Sequence, residues 1–147
     1  MSLTTQNQTQ TRPIAGGCQC GAVRYELIKA PSQVYVCHCR ECQKQSASAF
    51  GISAIVAPED IRIAQGIIKT ASRPTSGGGP MDYHFCDACG TRLFHGDLHG
   101  REPVSVKGGS LDVPPDLSTA MHIWVRRKLT GVIIPEGVQV FEEDPEF

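Results

Sequence analysis

Seven cysteines in three tight groups constrain this 147-residue chain more than any other feature. They stand in GGCQCG (Cys18, Cys20), VCHCREC (Cys37, Cys39, Cys42) and FCDACG (Cys86, Cys89). Their number is odd, and thiols clustered this closely in a reducing compartment stay free for metal or chemistry rather than pairing as disulfides. A C-x-x-C followed by glycine, Cys86 to Gly90, suits a tight turn that aims two sulfurs at one point while the glycine takes a backbone conformation costly for other residues. One such pair is half of a tetrahedral site, and Cys18 with Cys20 is the obvious supplier of the other half. Four thiolates at about 2.3 Å leave no room for water or substrate. Cys18, Cys20, Cys86 and Cys89 are therefore expected to hold a structural zinc whose binding contributes to folding.

The remaining triplet, Cys37, Cys39 and Cys42, is one ligand short of a closed site. Zinc with three protein ligands keeps an exchangeable position, the feature that separates catalytic from structural sites. Two zinc ions per chain, one closed and one open, follow from this count. The three thiolates leave a net charge of -1 that Arg40 and Lys44 can soften. Against this stand buried free thiols at Cys86 and Cys89, and, for the triplet, a second closed site completed by His38, His95 or His122. His38 lies between two ligands and is expected to point away from the metal and support it from behind. His38, Glu41 and His95 are the candidates for a supporting, acid or base role, and no general acid or base is singled out. His122, in the apolar stretch MHIWV, is expected to be a hydrogen-bonded core histidine, while His84 and His99 receive no role. The loop SGGGP is a flexible connection, since neither a helix start nor a lysine follows to make a phosphate cradle.

The rest of the chain suggests one small domain. Residues 1–13, rich in Thr and Gln, are expected to be a disordered tail, residues 14–143 the folded domain, and 144–147 a C-terminal tail. Apolar residues alternate at Val23, Tyr25 and Leu27, at Ile61 and Ile63, at His122 with Trp124, and at Val132 and Ile134, which predicts strands. Gly and Pro punctuate the gaps, as in RPTSGGGP and DVPPD. Only Cys39 to Ala49 lacks both and is expected to be helical. The fold class is thus mainly β, with at most one or two short helices. A net charge of -1 offers no basic excess for nucleic acid. No apolar run reaches the roughly 20 residues of a membrane span, and the N-terminus lacks a secretory apolar segment, so a cytoplasmic protein is expected. The oligomeric state is not legible.

Three stretches, GGCQCGAVRYE, CHCRECQK and FCDACGTRLF, together with HIWV and IPEGVQVFE, resemble the glutathione-dependent formaldehyde-activating enzyme (GFA) family, which also includes a centromere protein. The resemblance spans residues 14 to about 143. It implies an Mss4-like, zinc-pinned β architecture, with a structural zinc at Cys18, Cys20, Cys86 and Cys89 and a catalytic zinc at Cys37, Cys39 and Cys42. It also implies a carbon–sulfur lyase or synthase acting on a thiol–carbonyl adduct such as S-(hydroxymethyl)glutathione, with a small thiol such as glutathione and a small aldehyde such as formaldehyde as partners. Gln43, Lys44 and Ala47 differ from the basic residues and glycine common after the triplet in this family, and Gly131 stands where an aromatic is common. Glutathione is therefore carried as an example of the thiol.

Two other classes fail on the sequence. Zinc deaminases need P-C-x-x-C on a helix, but Phe85 replaces the proline and Gly90 would stop the helix. Methionine sulfoxide reductases of a related fold need a cysteine downstream of the zinc site, and none follows Cys89. The alternative that survives is a non-enzymatic binding module with two structural zincs, recognising a protein partner.

Overall fold

The computed structural model describes residues 13–75 and 77–145. The expected N-terminal tail falls outside them apart from Pro13. The chain is mainly β, as its alternating pattern predicts. Among the described residues ten strands make two sheets: β1 (Ile14–Gly17), β2 (Arg24–Leu27) and β5 (Ile61–Gln65) form the small one, in the order β1-β2-β5. The large sheet has the order β10-β3-β4-β9-β8-β7-β6, built from β3 (Gln33–Cys37), β4 (Gly51–Val56), β6 (Ile68–Thr75), β7 (Gly78–Cys86), β8 (Arg92–His95), β9 (Val104–Lys107) and β10 (Met121–Ile123). Gly78 to Pro80, expected in a loop, instead extend β7.

The core lies between the sheets because strand alternation sends one side of each inward. Tyr25 and Leu27 of β2 meet Ala54 and Val56 of β4, Phe94 of β8 and Val104 and Val106 of β9. Tyr25 stacks edge-on against Phe94 at 4.9 Å. Its hydroxyl donates to Ser110 Oγ at 2.7 Å, which in turn donates to the Lys107 carbonyl at 2.7 Å. Gly16, opposite Tyr25 in the β1–β2 pair, has to be glycine, since a Cβ there would lie 2.3 Å from the phenol oxygen.

The one α-helix among the described residues, α1 (Arg40–Ser46), is shorter than the expected Cys39–Ala49. Cys39 caps its start by accepting from the Cys42 amide. Ala47 ends it in the left-handed conformation (φ 49°), with the Ala47 and Ser48 amides returning to Lys44 and Gln43 carbonyls. The expectation of a strand at Val132 and Ile134 is not met. Gly131 takes φ 97°, Pro135 has no amide to donate, and Ile133 is 88% exposed. The segment after it lies parallel to β10, where the His122 and Phe141 amides bond the Gln139 and His122 carbonyls. Asp144 accepts from the Trp124 indole at 2.8 Å. Among the described residues no helix is long and apolar enough to cross a membrane.

Candidate metal centres

The two β-turns that carry Cys18/Cys20 and Cys86/Cys89 belong to different sheets, and the fold brings them together at one end. The four sulfurs all lie within 4.8 Å of one another. Cys18 and Cys20 are 3.5 Å apart and Cys20 and Cys86 3.8 Å, against the roughly 3.8 Å edge of a tetrahedron with 2.3 Å metal–sulfur bonds. Each turn also offers amides to sulfur, as thiolates require: Val23 donates to Cys18 Sγ at 3.1 Å and Cys89 to Cys86 Sγ at 3.4 Å. Gly90 closes the second turn at φ 78°, where its amide bonds the Cys86 carbonyl. Thr91 joins the halves. It accepts from the Gln19 amide and donates to Cys89 Sγ at 3.2 Å, holding that thiol down to about 5.

Cys37 ends β3, Cys39 caps α1 and Cys42 sits in its first turn, and their sulfurs form a second group within 4.8 Å. Among the described residues no fourth His, Cys, Asp or Glu atom joins them. Hydrogen bonds from the Cys37 and Cys42 thiols hold Cys39 down to about 2. The chain around the triplet is tied in place by Gln43, whose amide donates to the carbonyls of His38 (2.8 Å) and Arg127 (2.9 Å). Both groups have the soft, closely spaced donor set that a thiophilic cation such as zinc takes, and each could hold a metal ion.

The histidines fall elsewhere. His38, fully buried, turns from the sulfurs to His122, with Nε2 and Nδ1 2.8 Å apart and the rings stacked. His84 Nε2 donates to the Gly96 carbonyl, so its Nδ1 accepts from Thr70. Glu41 is exposed on α1. His95 is 7% exposed on β8 and accepts at Nε2 from Arg92, 3.3 Å away. Burial, then the charges of Lys107, Arg92 and Arg73, push its pKa down to about 2. The sign follows: the folded state keeps His95 neutral, whereas the unfolded chain binds a proton below about pH 6.5, so stability is lost as pH falls. Wild-type protein at saturating zinc should lose about 1 kcal/mol from this group between pH 6.5 and 5.5, and His95→Gln should remove that loss in urea titrations.

The sequence reading missed Lys107. It is 8% exposed at the end of β9, with Nζ donating to Ser53 Oγ at 3.3 Å. Burial lowers its pKa, and the neighbouring Cys42 and Cys37 side chains oppose that shift. A lone lysine in VSVKGGS carries no pattern that would mark it. A cleft of about 730 Å³ opens beside Lys107 and Gly51 and reaches Cys18 and Cys89 at its far wall.

The profile of the glutathione-dependent formaldehyde-activating enzyme family matches residues 13–127. The chain belongs to this family. A Halomonas elongata protein named "Putative glutathione-dependent formaldehyde-activating enzyme" is 25% identical over 134 residues, covering 86% of this chain and 83% of its own. A Rhodobacter sphaeroides crystal structure superposes with a TM-score of 0.51 at 22% identity, over 87% of this chain and 99% of that one, and has the same fold. The three cysteine groups fall inside the matched range, so both candidate metal centres lie in the GFA domain.

Proposed function

We propose that the chain is a zinc-dependent carbon–sulfur lyase or synthase acting on a thiol–carbonyl adduct such as S-(hydroxymethyl)glutathione. Cys18, Cys20, Cys86 and Cys89 would hold a structural zinc, and Cys37, Cys39 and Cys42 a catalytic one. The observation that carries this reading is the difference between the two groups: four sulfurs in one, three in the other with no further protein ligand among the described residues. Their settings differ as well. Cys18 and Cys86 belong to the hydrophobic core cluster, whereas Cys37, Cys39 and Cys42 lie outside it. The family is named for the chemistry proposed here. The cytoplasm, where thiols stay reduced, suits both centres.

A bound zinc would supply a fourth position for the substrate sulfur and stabilise it as the nucleophilic thiolate. The chain's own residues do the rest. Cys39, kept anionic by its neighbours, and Lys107, a buried cation beside the triplet, set the charge felt by an incoming sulfur. Gln43 and the His38–His122 pair fix the β3–α1 corner so that the three ligands need no rearrangement. In synthesis the thiol sulfur bonds to the carbonyl carbon, and the thiol proton ends on the former carbonyl oxygen; cleavage reverses this.

Elemental analysis before and after brief exposure to a mild chelator tests the proposal. Two zincs per chain falling to one are expected, the survivor being the closed site. The two-zinc form should condense glutathione with formaldehyde, followed by NMR, and the one-zinc form should not. Two zincs that both resist removal, with no turnover, would favour the binding module.

A further inference from the structure

Addition of sulfur to a carbonyl pushes an electron pair onto the carbonyl oxygen, and a site that speeds this step aims hydrogen-bond donors at that oxygen. Most side-chain donors lining the cleft are already engaged. Arg24 is paired with Asp112, Thr91 donates to Cys89 Sγ, and Ser110 and Ser46 donate to the Lys107 and Cys42 carbonyls. Arg92 lies against the Tyr83 ring and donates to His95. Two side chains beside the triplet keep hydrogens to give. Gln45 Nε2 is buried without a hydrogen-bond partner, and the Lys107 ammonium makes one long bond, 3.3 Å to Ser53 Oγ.

Their placement converges on Cys42. Cys42 and Gln45 are three apart on α1 and share a side of the helix, whereas the Gln43 amide is taken up by the His38 and Arg127 carbonyls. The point where Gly51 would carry a Cβ lies 3.2 Å from Gln45 Nε2 and 3.4 Å from Cys42 Sγ. Glycine there leaves a small gap that the sulfur and the amide both border, and Gly51 and Gln45 themselves line the cleft. Lys107 approaches from the sheet. Cys37 pairs with Gly51 and Lys107 pairs with Ser53, two residues or about 7 Å along β4, so all four stand on one face. Leaving a buried amide unpaired costs stability, which a purely structural glutamine would not do.

We propose that Lys107 and Gln45 are catalytic residues that together donate hydrogen bonds to the oxygen of the small carbonyl substrate, beside Cys42 and Gly51. The inference rests on the proposed function, to which it adds the place of the adduct's oxygen. In synthesis the thiolate sulfur bonds to the carbonyl carbon and the π pair of the C=O bond moves onto oxygen. Lys107 and Gln45 hold that charge until the proton that the thiol gave up to solvent returns to it. Cleavage runs the same steps backward. The ammonium acts mostly once charge has formed, and such differential binding is what catalysis requires. The terminal torsion of a glutamine is soft, so a small turn presents the Gln45 amide to the cleft that its side chain lines. Phe50 and Ile52 line the same cleft and lower the local dielectric, which strengthens both bonds.

Lys107→Leu and Gln45→Leu remove the donors and bring no new metal ligand. In the zinc-loaded full chain each should lower kcat for glutathione with formaldehyde about a hundredfold and leave KM for glutathione within about twofold. Binding reads the contact without turnover. Thioacetate carries an oxygen on the carbon next to its sulfur, as the adduct does, and ethanethiol does not. The ratio of their affinities for the cobalt-loaded chain, read from the thiolate-to-cobalt band at one pH, should fall about tenfold in each variant relative to wild type. A ratio or a kcat that either variant keeps in full overturns the donor pair and leaves the thiol reading intact. Gln45→Leu, on a half-buried position of α1, decides the matter should Lys107→Leu lose its metal. Wild type that binds neither ligand, or binds them and turns nothing over, overturns the proposed function and the pair with it.

Discussion

Cys86→Ser should fail to fold as a cooperative domain. Cys86 ends β7, is 1% exposed, and stands in both the core cluster and the four-sulfur group that ties the β1–β2 turn to the β7–β8 turn. Structural zinc contributes about 10–16 kcal/mol of apparent folding free energy in small zinc peptides, while whole domains hold only about 5–15 kcal/mol in reserve. Losing one of four ligands therefore consumes most of the margin. Cys89→Ser separates metal from burial, because Cys89 is exposed and only its sulfur contacts are at stake. Both variants should melt non-cooperatively by circular dichroism and retain at most one zinc. A soluble Cys89→Ser protein with an unchanged melt and two zincs would disprove the four-cysteine grouping.

Cys39→Ser should do the reverse, keeping the fold and abolishing activity. Cys39 caps a seven-residue helix and lies outside the core cluster, and serine is an equally good cap. A bound zinc contributes several kcal/mol of charge stabilisation, so its loss should lower thiol–aldehyde turnover about a thousandfold or more. The variant should purify with one zinc and a melting curve close to wild type. Full activity with a single zinc would sink the catalytic assignment of the triplet.

The fold class and the contents of both candidate centres were legible because they rest on local signals. Alternation at Tyr25 and Leu27 fixes which side of β2 faces the core, and the spacing of Cys86, Cys89 and Gly90 fixes a turn whatever the rest of the chain does. The helix was legible in place but not in length, since Ala47 stops it by a backbone conformation that alanine rarely signals. Val132 to Ile134 misled because alternation carries no information about whether a partner strand is available.

Sequence by itself determined which residue types could bind metal, how many, and that the chain would be built from short strands. Only the tertiary structure decided how they meet. Strands distant in sequence place the β1–β2 turn against the β7–β8 turn, pair His38 with His122 across 84 residues, and bring Lys107 to the face of Cys37 and Gly51. Arg92 shows the reason most plainly. Its spacing of three from His95 predicts opposite faces, and a single bulge opposite Phe85 reverses that outcome. Registers and bulges are set by long-range pairing and packing, which local composition does not encode.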